Sequence, residues 1–172
     1  ENPQNHYSQS KLIGEKIVKK YCKIYNINFL IIRMPMVYGE NNNRNFQLLE
    51  SYVKYHLPIP LKNFKNTKSV LHIENFCEFI FQILKINNFK KKTVNICDNQ
   101  DLLIFDLINY FIKKYNTKNL IICLPIKLIE LFFYFIGKKN LFIKLFLNNK
   151  ISNSSAKNYY KWSPKYTFKD YI

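Results

Sequence analysis

Short apolar runs alternate with segments of helical periodicity along this sequence. In the segment 7–25, Ile13, Ile17 and Ile24 recur at helical spacing, and the continuous apolar run 29–32 follows after a turn-like tripeptide. The same succession predicts further elements: helices over 45–55, 75–84 and 101–115, and strands over 69–73, 93–96 and 120–124. Because helices and strands alternate, the predicted fold class is α/β.

The chain is strongly basic. Its 172 residues include 27 Lys or Arg and 11 Asp or Glu, for a net charge of +16, and 48% of them are hydrophobic, which is enough for a core. Such a charge raises nucleic acid or an anionic membrane surface as partners. The lysines, however, are spread along the whole chain, which indicates background composition and not one basic face. We therefore expect no nucleic-acid function, although a diffuse positive field would help to attract a pyrophosphate-containing ligand.

The most apolar stretch, 131–147, is interrupted by Gly137 and by three lysines, and is therefore too broken to span a bilayer. Pro125 precedes it and predicts the start of a helix. We expect two short helices with apolar faces here, for which contact with a membrane surface is allowed but not favoured. The tail, 152–172, predicts a short helix followed by an ordered loop.

Four cysteines lie far apart and have no flanking histidines: Cys22, Cys77, Cys97 and Cys123. Their spacing predicts neither a zinc site nor a redox motif, and no other metal site is expected. We expect buried free thiols in a reducing cytoplasm.

Only three glycines occur, at Gly14, Gly39 and Gly137. A GxGxxG turn, which brings backbone amides to the pyrophosphate of a dinucleotide, cannot form from them. The sequence also enters its first helix without a preceding strand or an initiator Met. We therefore expect the chain to begin part-way through a domain.

Tyr7 and Lys11 lie four residues apart in the first predicted helix, which places both side chains on one face, one turn apart. With 13 tyrosines and many lysines in the chain, this spacing alone is a weak signal. The residues around the pair are a stronger signal. The segment 2–11, Asn-Pro-Gln-Asn-His-Tyr-Ser-Gln-Ser-Lys, resembles the active-site segment of the extended short-chain dehydrogenase/reductase family, in which a proline-containing loop leads into Tyr-x-x-Ser-Lys.

Two further segments resemble the epimerase/dehydratase type of this family. Residues 33–39, Arg-Met-Pro-Met-Val-Tyr-Gly, are similar to its Arg-x-x-x-x-Tyr-Gly segment, and residues 68–76, Lys-Ser-Val-Leu-His-Ile-Glu-Asn-Phe, to its Arg-x-x-x-His-Val-x-Asp-Leu segment. Three matches in the family's order are hard to obtain by chance. Weaker similarity at 45–61 and 152–164 extends the resemblance over nearly the whole chain.

Two positions depart from the family pattern. Lys68 stands where the family has an arginine near the substrate pyrophosphate, which keeps the charge but loses the two-pronged guanidinium group. Asn75 stands where an aspartate is usual. The nucleotide would then bind more weakly, or Arg44 would contribute.

The resemblance implies the C-terminal part of a doubly wound, Rossmann-type parallel sheet together with a small mixed α/β substrate-binding domain. The sheet part would comprise residues 1–39 and about 69–97. The substrate-binding part would comprise residues 40–68 and about 98–172.

The resemblance also implies an enzyme that uses NAD or NADP, with Tyr7 and Lys11 as the catalytic pair. The ammonium group of Lys11 would favour the phenolate of Tyr7, which takes the substrate's hydroxyl proton as a hydride leaves the same carbon. In relatives a Ser or Thr shares the substrate oxygen with the tyrosine. That residue would lie before Glu1, so neither Ser8 nor Ser10 is assigned its role.

The remaining implied site residues fall into two groups. Tyr7 and Lys11 would contact the cofactor together with Met34, Pro35 and Met36, and the substrate would be bound by Tyr38, Asn45, Phe46, Pro60 and Lys68.

The implied substrate is a nucleoside-diphosphate sugar that reacts at C4, and the segment 45–61 looks most like enzymes acting on UDP-N-acetylhexosamines. Epimerisation and 4-keto reduction are almost equally favoured, with dehydration third. A homodimer through the helix 7–25 is expected, with Ile17 and Tyr21 in the contact. Two alternatives stay open: a basic module that binds nucleic acid or anionic lipid, and a catalytically inactive family member.

Other polar residues have simpler interpretations. His72, in a strand-like run, is expected to be a packed or hydrogen-bonded residue and not a base, and His6 and His56 lie in loops without an acidic neighbour. Glu15, one turn beyond Lys11, is expected to be a solvated helix residue.

Overall fold

The computed structural model describes residues 6–39, 44–60, 66–87, 89, 92–137, 139, 142–143 and 148–168. In this part of the chain the helices are α1 (His6–Ile24), α2 (Arg44–Lys54), α3 (Ile73–Ile83), α4 (Ile104–Tyr115), α5 (Ile126–Phe135) and α6 (Ser154–Tyr160). The strands are β1 (Ile31–Arg33), β2 (Met36–Tyr38), β3 (Thr67–Lys68), β4 (Val70–His72), β5 (Thr93–Asn95) and β6 (Leu102–Leu103).

Parallel strand pairs form the centre of the fold. β1 pairs with β5, with Ile32 opposite Val94, and β2 pairs with β4, with Val37 opposite Leu71. A short antiparallel pair joins β3 to β6. Parallel pairs with intervening helices confirm the α/β class.

Strand β4 lies between two hydrophobic clusters. Successive side chains of a strand point to opposite faces, so Val70 enters the first cluster and Leu71 the second. The first cluster is built mainly by α2, α4 and α5. The second contains Phe79 and Ile83 of α3, Val94 of β5, and three tail residues: Ala156, Tyr160 and Trp162. The tail residues therefore pack in the same cluster as α3 and β5.

Most predicted elements are confirmed to within a few residues, and one is not. The run 120–124 was expected to form a strand, but it makes a single bridge, in which Ile59 donates its N–H to the carbonyl of Leu120 and Ile122 donates to that of Ile59. Within the described residues, the run therefore forms a bridge and not a longer strand.

Helix α1 is largely uncovered. None of its 19 residues is buried, and Ile13, Ile17 and Tyr21 are each about half exposed or more. Its apolar stripe is therefore present, as the periodicity predicts, but largely uncovered. Among the helices that the structure describes, none combines the length and the apolar character that crossing a bilayer requires.

Candidate active site

The Tyr7–Lys11 pair lies on the exposed first turns of α1. The Lys11 Nζ is 5.5 Å from the centroid of the Tyr7 ring, so the two side chains meet as their spacing predicts. Tyr7 is 72% exposed, and its backbone carbonyl accepts a 2.8 Å hydrogen bond from the Ser10 hydroxyl. The phenol is thus presented to solvent beside a cation. Residues 1–5, for which the sequence predicts a loop, lie outside the described residues.

Glu15 is not the solvated residue that the sequence predicted. The Nε of Arg33 donates to one of its carboxylate oxygens at 2.7 Å and an Nη donates to the other at 2.5 Å. The side chain of Glu15 is 18% exposed, and the guanidinium group of Arg33 lowers the pKa of its carboxyl. Sequence reasoning missed the partner because 18 positions separate the two residues. The pair ties α1 to the end of β1.

The predicted cofactor segment, 34–36, comprises the two residues between β1 and β2 and the first residue of β2. Met34 is 38% exposed, while Pro35 and Met36 are partly buried and Met36 packs against the first cluster. Gly39 follows β2, and a Cβ built there would lie 2.5 Å from Cγ2 of Ile73. The glycine is required because α3 begins directly after β4, which brings Ile73 against this backbone.

Tyr38 is buried at the centre of a polar network that the sequence did not predict. Its hydroxyl donates to Asp98 Oδ2 at 2.8 Å, and the backbone N–H of His72 donates to both oxygens of the same carboxylate. Asp98 is 5% exposed; burial raises the pKa of its carboxyl, although His72, Asn75 and Tyr38 all donate to it and oppose the shift. The signal for this network in the sequence was the position of Asp98, three residues after the end of β5.

His72 caps α3. Its Nδ1 accepts the backbone N–H of Glu74 at 3.1 Å, its ring meets the Tyr38 ring edge-on and it stacks on Tyr166. These contacts confirm the packed, hydrogen-bonded histidine that the sequence predicts.

The predicted substrate-binding residues differ in exposure. Phe46 is 1% exposed and its ring stacks on Tyr38 at 6.2 Å, and Pro60 is partly buried. Lys68 is 9% exposed, and burial lowers the pKa of its ammonium group. Asn45 lies in the first turn of α2, and its side chain falls outside the described residues.

The thiols are not uniformly buried, contrary to expectation. Cys97 is buried, and burial is the main cause that raises its pKa to about 11. Cys77 and Cys123 are exposed because they lie on outward positions of α3 and of the segment before α5. No role for them follows from this placement.

A model of the NAD-dependent epimerase/dehydratase family matches residues 1–97, which is more than half of the sequence and includes Tyr7, Lys11 and the segments around Tyr38 and Lys68. The chain belongs to this family.

Curated proteins similar to this family member include two sugar-nucleotide enzymes. A GDP-6-deoxy-D-talose 4-dehydrogenase from Aggregatibacter actinomycetemcomitans is 31% identical over 98 residues, which cover 55% of this chain and 32% of that protein. A UDP-glucose 4-epimerase from Vibrio cholerae is 22% identical over 169 residues, 98% of this chain and 52% of that protein. The chain thus spans about half or less of the length of these relatives.

Among solved structures, the UDP-glucuronic acid 4-epimerase from Bacillus cereus in complex with NAD is similar with a TM-score of 0.71 and 19% identity, over 98% of this chain and 50% of that one. This likeness shows the fold, part of a Rossmann-type α/β architecture, and confirms the predicted fold class.

Asn75, at the position where the resemblance implies an aspartate, is explained by its neighbours. Its Nδ2 donates to Asp98 Oδ1 at 2.7 Å and to the carbonyl of Tyr166 at 2.8 Å, and its Oδ1 accepts the backbone N–H groups of Lys165 and Tyr166. An aspartate here would set a second carboxylate against Asp98. The amide donates as well as accepts, and so holds the tail to the Asp98 network.

Proposed function

We propose that the intact protein modifies a nucleoside-diphosphate sugar at C4 by NAD(P)-dependent hydride transfer, through 4-epimerisation or 4-keto reduction, with a UDP-N-acetylhexosamine as substrate. The observation that carries this proposal is the Tyr7–Lys11 pair, with the Lys11 ammonium 5.5 Å from the Tyr7 ring on an exposed face of α1. Family membership and the 4-position chemistry named for the relatives support it.

Tyr7 is the acid/base of the proposed reaction. Its phenolate takes the proton of the C4 hydroxyl, and its phenol returns a proton to a C4 ketone in the reverse direction. Lys11 stabilises the phenolate through its charge. A bound nicotinamide cofactor would supply the acceptor and donor of the hydride.

The residues present fit one side of a nicotinamide cofactor. Tyr7 is open to solvent beside Lys11, and the backbone of Met34 and Pro35 lies between strands, outside the strand ladders. Phosphate binding needs a glycine-rich turn, and the three separate glycines of this chain do not provide one. The phosphate-binding part of the site would come from outside this chain. The residues that select NAD or NADP would come from there too.

The substrate pyrophosphate is proposed to lie at Lys68 and Asn45, with Tyr38, Phe46 and Pro60 forming the adjoining wall. Burial disfavours the charged form of Lys68. A phosphate group nearby would favour that charged form and so offset the effect of burial. The net charge of +16 supports the attraction of such an anion.

The apolar stripe of α1 is proposed as a homodimer contact. Ile17 and Tyr21 are each 49% exposed, and they lie on the helix that carries Tyr7 and Lys11. We also propose a cytoplasmic location, where nucleotide sugars and nicotinamide cofactors are available.

Replacement of Tyr7 tests this function. In the intact protein, Tyr7→Phe should lower turnover of UDP-sugar substrates by at least about a hundredfold, because a positioned proton donor contributes about that much. Tyr25→Phe is the matched control, since Tyr25 is similarly exposed just beyond the same helix. Turnover of Tyr7→Phe close to that of the control would remove Tyr7 from the catalytic role.

Lys11→Met gives a second measurement at the same site. Removal of the cation should shift the pH–rate profile towards higher pH, whereas Lys16→Met, at an exposed position of α1, should leave the profile unchanged. Identical profiles for the two variants would contradict the role of Lys11.

A further inference from the structure

Helix α5 has apolar side chains on two faces, and only one of them is covered. Ile129 is buried and Phe133 packs against the first cluster, and these two lie four residues apart on the inner face. The outer face carries Leu128, Leu131, Phe132 and Phe135 at the spacing i, i+3, i+4 and i+7, and each is between 50% and 77% exposed. A helix that is apolar on both faces is normally covered on both.

An apolar groove opens beside this outer face. It has a volume of about 690 Å³ and lies between α2, α4 and α5, and its lining is almost wholly hydrocarbon and aromatic. Leu128 and Phe132 belong to both the groove and the outer face, and Tyr52 lines the opposite wall. The exposed apolar surface is therefore continuous with an apolar cleft.

The sequence around α5 is basic. From Lys118 to Lys150 the sequence contains six lysines and one acidic residue, Glu130, and Lys118, Lys127 and Lys139 are exposed. An anionic lipid surface has the complementary charge.

We propose that α5 docks on an anionic membrane surface. The outer face of α5, defined by Leu128, Leu131, Phe132 and Phe135, enters the boundary between headgroups and acyl chains, and the flanking lysines contact acidic headgroups. The helix lies in the plane of the interface and does not cross the bilayer. This inference does not depend on the proposed catalytic activity.

Vesicle sedimentation of the intact protein tests it. Vesicles of phosphatidylcholine with about 30% phosphatidylglycerol should bind the protein at low salt, whereas pure phosphatidylcholine vesicles, or about 0.5 M salt, should bind it several-fold less. Phe132→Ser combined with Phe135→Ser should reduce binding by about tenfold or more, because the apolar part of the contact is lost. The matched control is Phe81→Ser with Leu84→Ser, which removes two exposed apolar side chains at α3 and should leave binding unchanged.

A tryptophan variant tests the proposal independently, in case the serine variant does not fold. Phe135→Trp keeps the outer face apolar, and Trp162 of this chain is buried, so a blue shift of the emission on vesicles would come from position 135. Equal binding by the Phe132/Phe135 and Phe81/Leu84 serine pairs would overturn the proposal, as would equal binding to neutral and anionic vesicles. A dimer in ultracentrifugation that the Phe132/Phe135 changes dissociate would also overturn it, in favour of a second copy at this face.

Discussion

Arg33, at the end of β1, holds Glu15 of α1 through two hydrogen bonds to the two carboxylate oxygens. Glu15 lies four residues beyond Lys11, on the same face of the helix. The pair therefore sets how α1 is rotated against β1, and with it where the Tyr7–Lys11 face stands relative to the 34–36 segment. Because the guanidinium group is planar, a lysine could not reproduce both bonds.

Loss of this pair should lower catalysis without removing a reacting group. In the intact protein, Glu15→Gln and Arg33→Lys are each expected to reduce kcat by about tenfold, since a small displacement of a catalytic pair is costly. Glu74→Gln, at an exposed position of α3, is the control. The double change Glu15→Arg with Arg33→Glu should recover part of the loss, and full activity in both single variants would show that the pair does not position α1.

The Glu15–Arg33 ion pair should make the free energy of unfolding larger near neutral pH than in acid. The pKa of Glu15 is lowered by Arg33 from its ordinary value of 4.5, so its contribution to the free energy of unfolding is present above that value and is lost as the pH falls through the lower, folded pKa. Urea unfolding of the wild type and of Glu15→Gln should therefore differ near neutral pH, by at most about 1 kcal/mol for a partly exposed pair, and converge in acid. A difference that grows in acid would contradict this.

Tyr38→Phe should destabilise the fold. The change keeps the ring contacts with Phe46 and His72 but leaves the buried Asp98 carboxylate with one donor fewer, at an expected cost of about 1–3 kcal/mol in the free energy of unfolding. Burial already raises the pKa of Asp98, and loss of the donor should raise it further. The cost measured by urea unfolding should thus be larger above this pKa than below it, where the carboxyl is protonated. A cost that is independent of pH would show that Asp98 is not ionised in the fold.

Alanine at Lys68 or Asn45 should raise the KM for the nucleotide sugar, because each is proposed to contact the pyrophosphate. Lys68→Arg should retain binding or tighten it, since the guanidinium group can donate two parallel hydrogen bonds to a phosphate. Lys118→Ala, at an exposed lysine far along the sequence, is the control. Calorimetric binding that is unaffected by both alanine changes would show that the pyrophosphate lies elsewhere.

Residues 1–172 alone should bind no NADH and show no turnover. The chain contains Tyr7 and Lys11 but no glycine-rich turn, and α1 has no buried residue, which leaves an apolar face uncovered. We expect the purified chain to aggregate or to be only partly folded. Binding of NADH at about micromolar affinity by a soluble monomer, followed by cofactor fluorescence, would mean that the cofactor site is misplaced.

The sequence by itself determined the local features of this protein. Helical spacing in 7–25 predicts both α1 and the common face of Tyr7 and Lys11, because the period of a helix is fixed by backbone geometry whatever surrounds it. Short apolar runs predict β1, β4 and β5 to within two residues at each boundary. The ordered motifs were sufficient to identify the family that the comparison confirms.

The tertiary structure alone decided which distant polar groups meet. Glu15 was expected to be solvated, and Asp98 carried no expected role, because their partners lie 18 and 60 positions away along the chain. Burial then decides which charges need a partner: the Asp98 carboxylate is kept from water, so the Tyr38 hydroxyl, the His72 N–H and the Asn75 amide must stabilise it together. Such pairings depend on how β2, β4 and α3 are brought side by side, and spacing along the sequence does not encode that arrangement.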